Sequence, residues 1–360
     1  MAERPLPSPK PRRILAGLVV AVVSTAACLV LLEGAVRVAS AFFHPKMMEF
    51  DLQLGWRHRP SAQRMFTNEW GERFLVVQNS RGLRGRDGEG GRRRAGVRVL
   101  VLGDSFTEGV HVAEDEVFAA RLERTLPGSE VLNAGVGGYG TVQEYLYLRN
   151  EGLAHDPDVV VLMFYDNDLV DNCLSYAPGL GPRPYAVWRD GRVQIVDTID
   201  GSDYAKFTLP VPFRLELDRH SYLFNLVNSR IYQKLAAQRM RRWSQADFKR
   251  TDGCGRYPIF FGLVTRMADL LRVRGKTFAL VLIPTAVDVA SGSSPTQTPI
   301  VRFCAEKALT CVALLPRFVR EHANGTRLYF ATDIHWTKEG HRVAAEEVAA
   351  RLRPALASRR

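Results

Sequence analysis

Val97-Arg98-Val99-Leu100-Val101-Leu102-Gly103-Asp104-Ser105-Phe106-Thr107-Glu108-Gly109 decides the fold. Its first six residues are mostly apolar and half of them β-branched, the composition of a short strand buried on both faces of a sheet. Gly103 ends that run, and Asp104-Ser105 follows where a strand turns towards a helix. Four more runs of this kind lie at 130–133, 159–164, 277–283 and 310–314. Apolar residues at helical spacing fill 116–126, 141–153, 257–274, 298–308 and 337–352. Strands alternating with helices predict a doubly wound α/β domain with a parallel sheet and helices on both faces.

In such a sheet ligands bind at the carboxyl ends of the strands, so the residues just after each run are the ones to read for chemistry. Ser105 follows the first run. After the second comes Asn133-Ala134-Gly135-Val136-Gly137-Gly138-Tyr139-Gly140, rich enough in glycine to present bare backbone N–H groups, and after the third Tyr165-Asp166-Asn167-Asp168. Just before the final helix stands Asp333-Ile334-His335-Trp336. A hydroxyl becomes a nucleophile when a positioned imidazole takes its proton, and a carboxylate holds that imidazole in the required tautomer. Ser105, His335 and Asp333 are the candidates for those parts. The negative charge of a tetrahedral intermediate needs preorganised donors, for which the Ser105 and Gly138 N–H groups and the Asn167 side-chain amide are the candidates. Asp104 reads as a hydrogen-bonding residue of its turn. His341 is the competitor for the base, Tyr139 and Trp336 flank the site as pocket-lining or packing aromatics, and His58, His111, His155 and His220 read as surface or core histidines.

These blocks resemble those of the SGNH (GDSL-like) hydrolase superfamily: Gly103-Asp104-Ser105, then Gly138, then Asn167-Asp168, then Asp333 with His335, in the family's order. Asn79-Ser80-Arg81-Gly82-Leu83-Arg84 looks like the lead-in of bacterial membrane-anchored members. The resemblance implies a flavodoxin-like three-layer α/β/α sandwich with a mainly parallel five-stranded sheet, and ester chemistry through an acyl-serine without a metal or organic cofactor. Most of the superfamily separates the late Asp and His by two residues, whereas one residue separates Asp333 from His335. The D-x-H-W form is similar to the branch that acetylates or deacetylates exported polysaccharides. A small acyl ester of a glycan is therefore the expected substrate, with a lysophospholipase or lipid esterase as the alternative and a non-catalytic glycan-binding protein as the second.

Residues 14–32 are uncharged, and as a helix they match the thickness of a bilayer's hydrocarbon core. Arg4, Lys10, Arg12 and Arg13 precede them, which predicts a cytoplasmic tail at 1–13 and a transmembrane signal-anchor helix at 14–37. Everything after it is then extracytoplasmic, on the periplasmic side. A cleaved signal peptide is the alternative, with Ala39-Ser40-Ala41 as its small-residue site. The rest divides into an extracytoplasmic lead-in at 38–96 and a catalytic domain at 97–354, interrupted by an insertion at about 171–256. In that insertion a Trp-Arg-Asp-Gly-Arg turn reads as joining two short strands, and 222–242 reads as a helix.

The formal charge of +11 comes mainly from arginine in the N-terminal tail, at 81–98 and at 239–256. No nucleic-acid module accompanies it, so nucleic acid is not an expected partner; the membrane and an acyl-ester substrate are. Outside the cytosol cysteines pair. Cys173, Cys254, Cys304 and Cys311 allow three connectivities, of which Cys173 with Cys254 would staple the insertion at its ends. Cys28 lies within the apolar helix, and no spacing reads as a zinc site.

Overall fold

The computed structural model describes residues 11–43, 46–87, 96–177, 180–197, 216–217, 220–227 and 254–357. Five strands form the central sheet: β1 (Val97–Gly103), β2 (Ser129–Gly135), β3 (Val159–Phe164), β4 (Thr277–Leu282) and β5 (Thr310–Ala313). Their spatial order is β5-β4-β3-β1-β2, and every pairing is parallel. Read from the other edge this is 2-1-3-4-5, the flavodoxin-like order, whose direction of winding reverses between β1 and β3. All seven residues of β1 and all six of β3 are buried, as the apolar runs predicted.

Alternate residues of each strand point to opposite faces and build two cores. Val97, Val99 and Val101 pack with Phe118, Leu122, Val343 and Val348, from helices α3 (Phe118–Thr125) and α10 (Lys338–Ala357). Leu100 and Leu102 face the other way, towards Phe260, Val264, Met267 and Leu271 of α6 (Arg256–Arg272) and Ile300 and Phe303 of α8 (Thr298–Glu306). The remaining helices are α1 (Pro11–Phe43), α2 (Ser105–Glu108), α4 (Thr141–Asn150), α5 (Asp168–Asp171), α7 (Ala286–Ser291) and α9 (Leu315–Ala323). The helix expected at 116–126 begins two residues late, because Glu114–Glu116 forms a separate 3₁₀ turn. Helix α9 was not expected at all, although Leu315, Phe318 and Val319 line one side of it.

The lead-in departs further from expectation. Where the sequence shows little periodicity, two antiparallel hairpins form: Met48–Asp51 with Gly55–His58, and Gln63–Thr67 with Arg73–Val77. Their signal is in the turns rather than the strands. Asp51 Oδ1 accepts the N–H groups of Gln53 and Leu54, both at 2.8 Å, and Asn68 Oδ1 accepts those of Trp70 and Glu72, both at 3.0 Å. Such side-chain-headed turns reverse the chain without any apolar pattern.

In the insertion, Tyr185–Arg189 pairs with Arg192–Val196 across Asp190-Gly191, whose φ angles of 53° and 70° suit a tight hairpin turn. A disulfide joins Cys173 to Cys254, while Cys28, Cys304 and Cys311 are free thiols. Of the helix expected at 222–242, only 222–227 is described, and it is helical; the rest lies outside the described residues. Its first turn docks on α1: Glu33 accepts from Ser221 Oγ at 2.8 Å and from the N–H groups of Tyr222 and Leu223, both at 2.9 Å. Helix α1 is long and apolar enough to cross a membrane over Arg13–Ser40, a property it shares with signal sequences.

Candidate active site

Ser105 opens α2 directly after β1, at the carboxyl edge where the winding of the sheet reverses. Asp104 caps that helix, its side chain accepting the Phe106 N–H at 2.9 Å, and burial pushes its carboxyl up to about 6 against that hydrogen bond. It acts on its turn, as expected. From the loop before α10, His335 brings Nε2 to 2.7 Å from Ser105 Oγ. Its Nδ1 bonds Asp333 Oδ1, which also accepts the His335 backbone N–H at 2.9 Å. Burial opposes the Asp333 charge, but its bonds to the His335 backbone and ring outweigh this and hold the carboxyl below its ordinary value. Ser105 and His335, 230 residues apart in sequence, thus meet with Asp333 as one hydrogen-bonded chain.

Two residues that the sequence did not point to support this chain. Glu69, in the turn of the second lead-in hairpin, accepts from Ala331 N (2.6 Å), Thr332 N (2.9 Å), Thr332 Oγ1 (2.6 Å) and Asp333 N (3.3 Å). The Thr332 hydroxyl first, then the Ala331 and Thr332 amides, draw its pKa from 4.5 down to about 2. The clamp is therefore fully charged above the ordinary value and is lost only as pH falls through about 2. Beside it Trp70 packs on Phe330, ring centroids 4.8 Å apart. His111 stacks on His335 at 4.1 Å, with Nε2 3.5 Å from Asp333 Oδ2. Burial, then the neighbouring His335, lowers its pKa and favours the neutral ring. Neither residue carries a local signal, since Glu69 reaches its partners across more than 260 positions of chain. We expect Glu69→Ala to lower kcat roughly 10- to 100-fold by loosening the Asp333–His335 loop, with the fold intact. Steady-state kinetics with far-UV circular dichroism checks it, and an unchanged kcat would remove Glu69 from the site.

The oxyanion candidates converge on the same edge. Ser105 N–H belongs to the first residue of α2 and so has no intrahelical acceptor. Gly138 sits at φ +78° in the turn after β2, and a Cβ there would lie 2.3 Å from Leu180 Cδ1. At Gly137 a Cβ would come within 3.9 Å of Ser105 Cβ, so the turn runs close to the serine. Glu108 secures it: Oε2 accepts the Gly137 N–H at 2.8 Å and Oε1 bonds His58 Nε2 at 2.9 Å. Asn167 precedes α5, and its Nδ2 donates to Asp171 Oδ2 at 3.0 Å.

The structure decides the remaining candidates. His341 is buried inside α10, its Nδ1 accepting the Phe118 N–H at 3.1 Å, and burial drives its pKa down to about 3. It is a neutral structural acceptor, and the histidine that bonds Ser105 is His335. Trp336 and Tyr139 are packing residues: Trp336 is fully buried against Phe106 and Phe318, and Tyr139 is buried with its hydroxyl donating to Trp56 O at 2.6 Å. Among the described residues, one group has the donors of a metal site, His111, Asp333 and His335, with ligand atoms within 4.8 Å of one another. Two of these are already engaged in the hydrogen-bonded chain to Ser105.

Residues 101–199 match the GDSL-like Lipase/Acylhydrolase family, and residues 261–359 match the SGNH hydrolase-like domain, acetyltransferase AlgX. No curated protein matches the chain. Among solved structures, a member of the lipolytic protein G-D-S-L family from Veillonella parvula DSM 2008 is 11% identical with a TM-score of 0.39, covering 71% of this chain and 97% of its own. A catalytic mutant of Axe2, an acetylxylan esterase from Geobacillus stearothermophilus, is 13% identical with a TM-score of 0.39, covering 72% and 96%. A two-domain esterase active on acetylated mannans is 15% identical with a TM-score of 0.39, covering 73% and 50%.

Proposed function

The chain is of the SGNH (GDSL-like) hydrolase kind, and from that premise we propose that it is a serine-dependent ester hydrolase or acyl transferase working through an acyl-serine. The observation that carries this reading is the Ser105 Oγ to His335 Nε2 hydrogen bond of 2.7 Å, with His335 held by Asp333 on its other nitrogen. Ser105 Oγ attacks the ester carbonyl while His335 Nε2 takes its proton, and Asp333 stabilises the imidazolium through Nδ1–H. The oxyanion lies among the Ser105 N–H, the Gly138 N–H and the Asn167 amide, each donor contributing about 3 kcal/mol of barrier lowering. His335 then gives its proton to the departing alcohol oxygen, leaving acyl-serine. Water or a sugar hydroxyl, deprotonated in turn by His335, removes the acyl group.

The cargo in this reading is acetyl and the natural ester is on a glycan. Support comes from the D-x-H-W block within the segment that matches the acetyltransferase AlgX domain. Helix α1 is the anchor, with Arg12 and Arg13 on the cytoplasmic side and the α/β domain outside. Full-length protein in detergent, assayed on p-nitrophenyl acetate and octanoate with and without oligosaccharide acceptors, tests this. Preference for acetate is expected, and acceleration of a slow phase by acceptors would mark a transferase. Preference for octanoate would replace the glycan substrate with a lipid ester. Folded protein inert towards both esters, and unlabelled by a fluorophosphonate, would leave a glycan-binding protein without catalysis.

A further inference from the structure

The glycine turn after β2 is held by two side chains that lie outside the chain Ser105–His335–Asp333. Trp56 Nε1 donates to Gly137 O at 3.0 Å. In a trans peptide the C=O of one residue and the N–H of the next point in opposite directions, so a bond that fixes Gly137 O towards Trp56 turns the Gly138 N–H away from Trp56. The following carbonyl, Gly138 O, accepts from Arg183 Nη1 at 3.1 Å. Arg183 is a buried cation: its side chain is 2% exposed, and it lies on the insertion side of Cys173, just before the Tyr185–Arg189 strand.

The same guanidinium reaches a second loop. Arg183 Nη2 lies 3.3 Å from Asp171 Oδ1, and Asp171 Oδ2 accepts the Asn167 amide at 3.0 Å. One fork thus ties Gly138, after β2, to Asn167, after β3, through a single carboxylate. The packing is tight, since a Cβ at Gly140 would lie 3.2 Å from Arg183 Nη2 and 3.1 Å from Asp171 Cβ. We propose that Arg183 and Asp171 are positioning residues of the oxyanion hole, fixing the relative placement of the Gly138 N–H and the Asn167 amide, so that the start of the insertion completes the site. This rests on the acyl-transfer reading. A planar fork can hold a carbonyl and a carboxylate at once, whereas the point charge of lysine cannot reproduce both directions.

The test is Arg183→Lys and Asp171→Asn in the full-length protein, with kcat expressed per Ser105 labelled by a fluorophosphonate, so that misfolded molecules do not count. Near-UV circular dichroism reports the fold, and Asp171→Asn carries the comparison where Arg183→Lys does not fold. Each variant is expected to lose roughly 10- to 100-fold in kcat with KM within about threefold of wild type, the signature of weakened transition-state binding alone. The double variant should be no worse than the poorer single, because both break one relay. If kcat per labelled serine stays within about twofold, or KM rises at constant kcat, the proposal is wrong. An active wild type with unaffected variants sinks this proposal alone, whereas a wild type that turns over no ester sinks the acyl-transfer reading and this one with it.

Discussion

Ser105→Ala is expected to lower ester turnover on the order of 10⁶-fold, to what the oxyanion donors and binding supply alone. The residue opens a helix whose cap, Asp104, is a different side chain, and among the described residues its hydroxyl bonds only His335, so removing the oxygen should leave the fold untouched. Asp333→Asn should cost less, about 10⁴-fold, because the imidazole remains but in the wrong tautomer. The residues act as a unit, so Ser105→Ala combined with His335→Ala should be no slower than Ser105→Ala by itself. Single-turnover assays with an activated acetyl ester check all three. Turnover by Ser105→Ala within tenfold of wild type would mean that another group attacks the ester.

Trp336→Ala is expected to cost about 3–5 kcal/mol of stability, the usual penalty for emptying a large aromatic site in a core. Trp336 is 0% exposed, with ring centroids 5.3 Å from Phe106, 5.5 Å from Phe318 and 5.4 Å from His341. Its neighbour His335 is the proposed base, and Phe106 lies against both rings, so the cavity should also loosen the base and reduce kcat in the protein that remains folded. Trp336→Phe, which keeps an aromatic ring there, should lose less of both. Urea unfolding with a lower midpoint and an unchanged slope is the expected record. An unchanged midpoint would show that the aromatic cluster does not support this edge of the domain.

The five sheet strands were legible because each is buried on both faces and so writes its whole length in apolar residues; 159–164 was predicted to the residue and the other four within two residues at each end. The candidate residues were legible because this architecture brings functional groups to strand ends, a local and countable position. The lead-in hairpins were not. The Gln63–Thr67 strand alternates only between exposed and half-buried, and its hairpin turn is made by the Asn68 side chain rather than by an apolar pattern. Helix α9 was missed for the opposite reason, since it is short and follows a strand with only Leu314 between them.

By itself, then, the sequence determined the layered α/β architecture, the apolar helix at the N-terminus and the candidate residues from which the proposed chemistry is built. Periodicity and strand-end position are properties of neighbouring residues, and they survive without coordinates. Only the tertiary structure decided that His335 rather than His341 meets Ser105, that Trp336 and Tyr139 are core, and that Glu69, His111 and Arg183 reach the site. These contacts join turns and loops separated by tens to hundreds of residues. A polar side chain that bonds a distant backbone group needs no periodic neighbours, so its role is written in the packing of the loops and nowhere in the local pattern.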